Sequence, residues 1–135
     1  MRESHMPELE EFCRIEAKLN FIPIGPTPSG RQLHIPFEGT ATSSHWEGER
    51  AVSGVDYVTV GKDGNAELYI RAILGSGDDV VAYEAHGRGG ADGIKELITF
   101  RTASADLAFL NGAVAVAVGR TEGNKLSLTL YLVNV

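Results

Sequence analysis

The sequence predicts an all-β fold: an antiparallel barrel of about eight or nine strands with one short helix. Three observations carry this. Apolar and polar residues alternate with period two along most of the chain, as in strands with one wet face. Turn signals such as Asp63-Gly64 and Gly123-Asn124 recur between these stretches, and 16 of the 135 residues are glycine. Residues 104–111 form the one clear helix signal; the Glu, Ala, Lys and Leu of residues 8–19 also favour a helix, but their period is two. A sandwich fits the same pattern; a barrel is preferred because a meander of tight hairpins closes on itself and leaves no open edge.

Residues 8–19 alternate, with Cys13, Ile15, Ala17 and Leu19 on one side and Arg14, Glu16 and Lys18 on the other. Residues 22–31 hold three prolines and two glycines, which is read as excluding a ladder or a helix, and an ordered extended loop is expected there, a lid or a plain connector. Arg31 would bind an anion or anchor that loop. Residues 32–41 return to strand character, with Pro36 at an edge or bulge and Gly39 marking a bulge. The polar stretch 42–50 holds the only tryptophan, Trp46, a large amphipathic side chain suited to a pocket rim or to surface packing.

Residues 55–86 organise the chain as three strands. Asp63-Gly64 suggests a two-residue type I′ hairpin, which sets Lys62 opposite Asn65 and Asp56 opposite Arg71. A second loop at 75–78 sets Arg71 opposite Ala82, with Glu84 one step along. On that register one face carries Val55, Tyr57, Leu68, Ile70 and Tyr83, and the other Asp56, Tyr69, Arg71, Glu84 and His86. An arginine between two carboxylates could orient a carbonyl or phenol and move a proton. The bland alternative is cross-strand ion pairing on a solvated face, worth about 0.2–1 kcal/mol per pair.

Residues 88–93 form a flexible glycine-rich loop without the lysine or spacing of a phosphate loop. A strand at 95–102 sets Ile98, Phe100 and Thr102 against Leu97, Thr99 and Arg101. Ser104 is an apt N-cap for the short helix, which Asn111-Gly112 ends. Along 113–120, valines alternate with alanines, and such a row of small residues lets a sheet, a subunit or a ligand approach. Residues 125–133 close the fold with Leu126, Leu128, Leu130 and Leu132 opposing Ser127, Thr129 and Tyr131.

The length suits one domain, read as 7–135, after a start at 1–6 whose Ser4-His5-Met6 looks like a tag remnant. A net charge of −6 and the lack of a basic run argue against nucleic acid. No apolar run is long enough for a membrane helix and no secretory leader is evident, so no membrane partner and a cytoplasmic location are expected. The single Cys13 excludes an internal disulfide and reads as a buried, inert thiol. His34, His45 and His86 are too scattered for a metal motif, and no nucleophile elbow occurs. No cofactor is expected. Cofactor-free acid–base chemistry or ligand binding in a barrel mouth remains.

Gly25-Pro26-Thr27-Pro28-Ser29-Gly30-Arg31, then Gly54-Val55-Asp56-Tyr57, Asp63-Gly64, Leu68-x-x-Arg71, Phe100-Arg101-Thr102 and Leu110-Asn111, resemble the domain-of-unknown-function family 3237 across about residues 9–133. The resemblance implies a calycin-like, lipocalin-like β-barrel. It puts the family's Asp and Arg on Asp56 and Arg71, and adds Tyr57, Arg101 and Asn111 to Arg31 and Trp46 as ligand-binding candidates. Tyr57, Tyr69 and Phe109 stand where the family more often has Trp, Asp and Trp, which implies a reshaped pocket.

Two functions are open at this point. One is a cofactor-free isomerase, cyclase or lyase on a hydrophobic carbonyl or phenolic compound. Asp56 or Glu84 would be its base, Arg71 would stabilise an enolate-like oxygen, and Tyr69, Tyr83 or His86 would donate the proton. The other is a non-catalytic carrier or sensor of a small apolar ligand. A structural subunit is a third reading, and apolar outer faces of barrels often pair, so a homodimer is an expected partnership.

Overall fold

The alternating rows become nine antiparallel strands in the computed structural model, which describes residues 6–135; the expectation for residues 1–5 lies outside the described residues. The strands are β1 (Glu8–Leu19), β2 (Ile22–Thr27), β3 (Gly30–Thr42), β4 (Glu49–Val60), β5 (Ala66–Leu74), β6 (Val81–Gly90), β7 (Gly93–Thr102), β8 (Val114–Glu122) and β9 (Lys125–Asn134). Each pairs with its sequence neighbour from β2 to β9, and β9 pairs with β1. β1 also pairs with β3, which closes eight strands into a barrel and leaves β2 outside it, bonded to β3 alone.

β2 corrects the expected loop at 22–31. Its prolines are tolerated because an edge strand needs a ladder on one side only. Gly39 marks no bulge: β3 runs in unbroken register along β4, and Gly39 faces Ala17 of β1, where a Cβ would strike the Glu16 carbonyl. Absence of a side chain at that point lets β1 reach β3 and close the barrel. Pro36 occupies the position where β3 passes from β2 to β1, so its missing N–H breaks neither ladder.

The inward rows make the core. β9 contributes Leu126, Leu128, Leu130 and Leu132, β7 Ile98 and Phe100, β6 Val81, Tyr83 and Ala85, and β8 Ala115 and Ala117, all buried. A bulge between Glu11 and Cys13 turns both Phe12 and Cys13 inward. Phe12 then meets Trp46, Phe100 and Phe109 edge-on, at centroid distances of 5.7, 5.9 and 6.2 Å.

This cluster closes one end of the barrel together with Leu107 and Leu110. The segment expected as a helix is shorter and tighter, a 3-10 turn at Ala108–Gly112. Ser104 does not cap it; its hydroxyl donates to Asp79 Oδ1 at 3.2 Å. Asn111 anchors the turn instead, accepting from the Thr102 N–H at 2.8 Å and donating to the Thr102 carbonyl at 2.9 Å. The hairpin turns after β4, β6 and β8 lie at the opposite end, which is open. No helix among the described residues is long and apolar enough to cross a membrane.

Candidate active site

The β4–β5 turn decides which way Asp56 points. Gly64 N–H donates to the Gly61 carbonyl at 3.0 Å and Gly61 N–H to the Asn65 carbonyl at 2.9 Å, while Gly64 takes φ of +84°. No non-glycine residue among the described residues has a positive φ, so Asp63 cannot occupy a type I′ position. The loop is therefore longer by one residue than a two-residue hairpin. Asp56 pairs with Ile70, and Arg71 with Val55. A shift of one residue sends a side chain to the other face, so Asp56 enters the lumen and the expected Asp56–Arg71–Glu84 cluster does not form. At the β5–β6 turn the shift is two residues, which sets Arg71 opposite Glu84 and keeps both faces.

The outer face holds most of the other candidates. Arg71 Nε lies 3.4 Å from Glu84 Oε1, and both side chains are about half exposed or more. The Tyr69 hydroxyl donates to the same Glu84 oxygen at 3.4 Å, and its ring stacks on His86 at 4.8 Å. Tyr57 continues this outer row between Tyr69 and His34. Arg101 is exposed on the same outer surface, and Arg31 on the β2–β3 hairpin. Trp46 belongs to the closed end, donating from Nε1 to the Ala41 carbonyl at 3.3 Å with Arg50 over its ring. Asn111 is occupied by Thr102. None of these five ligand-binding candidates lines the lumen.

The lumen toward the open end is a cavity of about 250 Å³. It exists because the inward row of β6 tapers from Tyr83 through Ala85 to Gly87 and Gly89, while Ala115 and Ala117 of β8 add little bulk. Its walls are mainly Ile, Leu, Val and Phe, and four polar side chains break them: Asp56, Tyr83 and Glu96, with Thr121 exposed to solvent. Glu96 is new to the site. It is only 9% exposed, and no ion pair among the described residues involves it. The row Ile94-Glu96-Ile98-Phe100 held the signal, since an acid in an inward period-two row faces the core.

Burial governs the electrostatics. Desolvation lifts the Asp56 carboxyl to about 7 against a partial offset from the Tyr69 backbone, and Asp56 Oδ1 is buried with no hydrogen-bond partner among the described residues. Desolvation, with repulsion from Asp56, lifts Glu96 to about 8. Burial raises the Tyr83 hydroxyl, helped by Glu96, Cys13 and Asp56, so it stays a neutral donor. Cys13 is raised to about 12, first by burial and then by Glu11, which keeps its thiol unreactive. No group of three or more His, Cys, Asp and Glu side chains among the described residues is arranged to hold a metal ion.

The family described as protein of unknown function (DUF3237) matches residues 7–89, a span that includes Asp56 and Tyr83 and ends before Glu96. None of the curated proteins matches. Among solved structures, a beta-barrel-like protein from Acinetobacter baumannii AYE superposes with a TM-score of 0.87 at 20% identity, covering 99% of this chain and 100% of that one. A protein with unknown function from Clostridium acetobutylicum gives 0.85 at 21% identity, over 96% of this chain and 100% of that one. A structure described as an enzyme from Penicillium herquei gives 0.69 at 15% identity, over 99% of each chain. At these identities the likeness shows a shared barrel.

Proposed function

We propose a function for this chain, which belongs to the protein-of-unknown-function family DUF3237: its lumen is a cofactor-free acid–base site for a small hydrophobic carbonyl or phenolic compound. The reaction class is an isomerisation, cyclisation or elimination driven by proton transfer. Asp56 is the base and the Tyr83 hydroxyl the donor. Arg71, Glu84, Tyr69 and His86, on the outer face, take no part.

The observation that carries this reading is the Asp56 carboxylate, with one oxygen buried and unpartnered in an apolar cavity. An uncompensated carboxylate costs stability, and a protein that keeps one in a ligand-sized space has a use for it. A base near 7 is also matched to neutral pH. The enzyme from Penicillium herquei, built on the same barrel, adds support.

The test is α-proton exchange of small aromatic ketones in D₂O, followed by NMR. The wild-type protein is expected to accelerate exchange and Asp56→Asn to lose the acceleration while staying folded. The mainly apolar walls favour a second reading, a carrier of small apolar ligands. Calorimetric binding of the ketone with no exchange would select that reading.

A further inference from the structure

With Arg71 outside, no lysine or arginine among the described residues lines the lumen. A base that pulls a proton from carbon leaves negative charge on the neighbouring oxygen, and something must receive it. Three lining side chains can donate, of which Thr121 is exposed to solvent and two are buried. Tyr83 comes from β6 and Glu96 from β7, and both point into the cavity that Asp56 enters from β4. The other inward rows offer nothing that ionises except the inert Cys13 of β1. β5 presents Leu68, Ile70 and Ala72, β8 alanines and β9 leucines.

We infer that Glu96, as a neutral carboxylic acid, and the Tyr83 hydroxyl form a donor pair for the oxygen of a ketone while Asp56 removes its α-proton. The inference rests on the reading of Asp56 as a base and names the substrate class: an uncharged ketone with an acidic α C–H. Two carboxyls that repel each other share their protons unequally, and Glu96, which is buried where Asp56 is only partly so, is the one whose charged form the site disfavours more. A carboxylic acid held neutral by an apolar site is a strong donor to an oxyanion, and a buried tyrosine is its natural companion.

The step balances without a co-reactant. The C–H pair becomes the enolate C=C, the carbonyl π pair moves onto oxygen, and the proton goes to Asp56. Its return to the γ-carbon of an unsaturated ketone shifts the double bond, and its return to the same carbon gives exchange. Carboxylates and phosphates are disfavoured, because two acids and no cation meet them. A dry cavity of 150 Å³ takes benzene, so 250 Å³ suits about ten heavy atoms, a one- or two-ring ketone.

The experiment pairs two probes. Exchange of 2-tetralone, a two-ring ketone of that size, reads the chemistry. Binding of 2-naphthol, a planar mimic of its enol, reads the donor pair by the absorbance of bound naphtholate. Tyr83→Phe and Glu96→Leu are each expected to slow exchange by about 10²–10³-fold and to weaken naphthol binding at least tenfold. Glu96→Gln, whose amide still donates though less strongly than a carboxylic acid, should recover most of the exchange and binding that Glu96→Leu loses. Circular dichroism checks that each variant is folded. Exchange that depends on Asp56 but ignores both Tyr83→Phe and Glu96→Leu would overturn the donor pair and leave the base reading standing. Naphthol binding that depends on Tyr83 and Glu96, with no exchange, would support the donor pair and remove the base. Wild-type protein that neither exchanges 2-tetralone nor binds 2-naphthol would overturn both.

Discussion

Gly87 stands directly opposite Glu96 across the β6–β7 ladder, and a Cβ at position 87 would lie 2.8 Å from the Glu96 Cγ and strike the Lys95 carbonyl. The missing side chain is the space in which the buried acid rests. One residue therefore protects both the closeness of two strands and the position of a lumen carboxyl.

Gly87→Ala tests this. The added methyl forces strands apart or turns Glu96 aside, and overpacking of this kind costs about 1–3 kcal/mol. The expected result is a melting temperature lower by several degrees together with weakened naphthol binding. A melting temperature equal to wild type would show that the two strands have slack at that point.

The two lumen carboxyls give stability a pH dependence. Both are raised in the folded protein, to about 7 and about 8, above the values near 4 of an unfolded chain. Between those limits the folded state binds more protons, so their contribution is full below about pH 4 and is lost as pH rises through 7 to 8. The wild-type protein should lose on the order of a few kcal/mol between pH 5 and 8 relative to the Asp56→Asn, Glu96→Gln double variant. Denaturant titrations of both proteins across that range measure the difference. Parallel pH profiles would mean that water reaches the acids freely.

The outer ion pair gives the control. Arg71 and Glu84 meet at 3.4 Å in largely solvated surroundings, where such pairs contribute about 0–1 kcal/mol. Arg71→Ala should leave naphthol binding and ketone exchange within about twofold of wild type and change stability by less than about 1 kcal/mol. A large loss of exchange would return Arg71 to the mechanism.

Most of the barrel is legible from period-two rows, because an inward row must be apolar whatever the loops do. The leucines of β9 and the face of β6 are read correctly, and the latter survives a two-residue error in its turn because two is the period. The site is less legible because it depends on parity. Asp56 changes face on one residue of turn length, and Asp63-Gly64 fits two loop types that only the φ of Asp63 separates. β2 was hidden because prolines look prohibitive until an edge is available. Glu96 is legible as an acid in an inward row, but it lies on β7, beyond the 55–86 hairpins whose charges pair across strands.

The barrel is a cup rather than a tube. Phe12, Trp46, Leu107 and Leu110 seal its base, and the glycines of β6 hollow its upper half. Cohesion and recognition are thereby assigned to different ends of the same strands. Gly89 is an example: it has negative φ, and a Cβ there would find Ala66 and Leu68 at ordinary distances of 3.7–3.8 Å. Residues at the rim can be exchanged to resize the guest while the base keeps the vessel intact, and descendants of one ancestral cup could serve unrelated guests without refounding their fold.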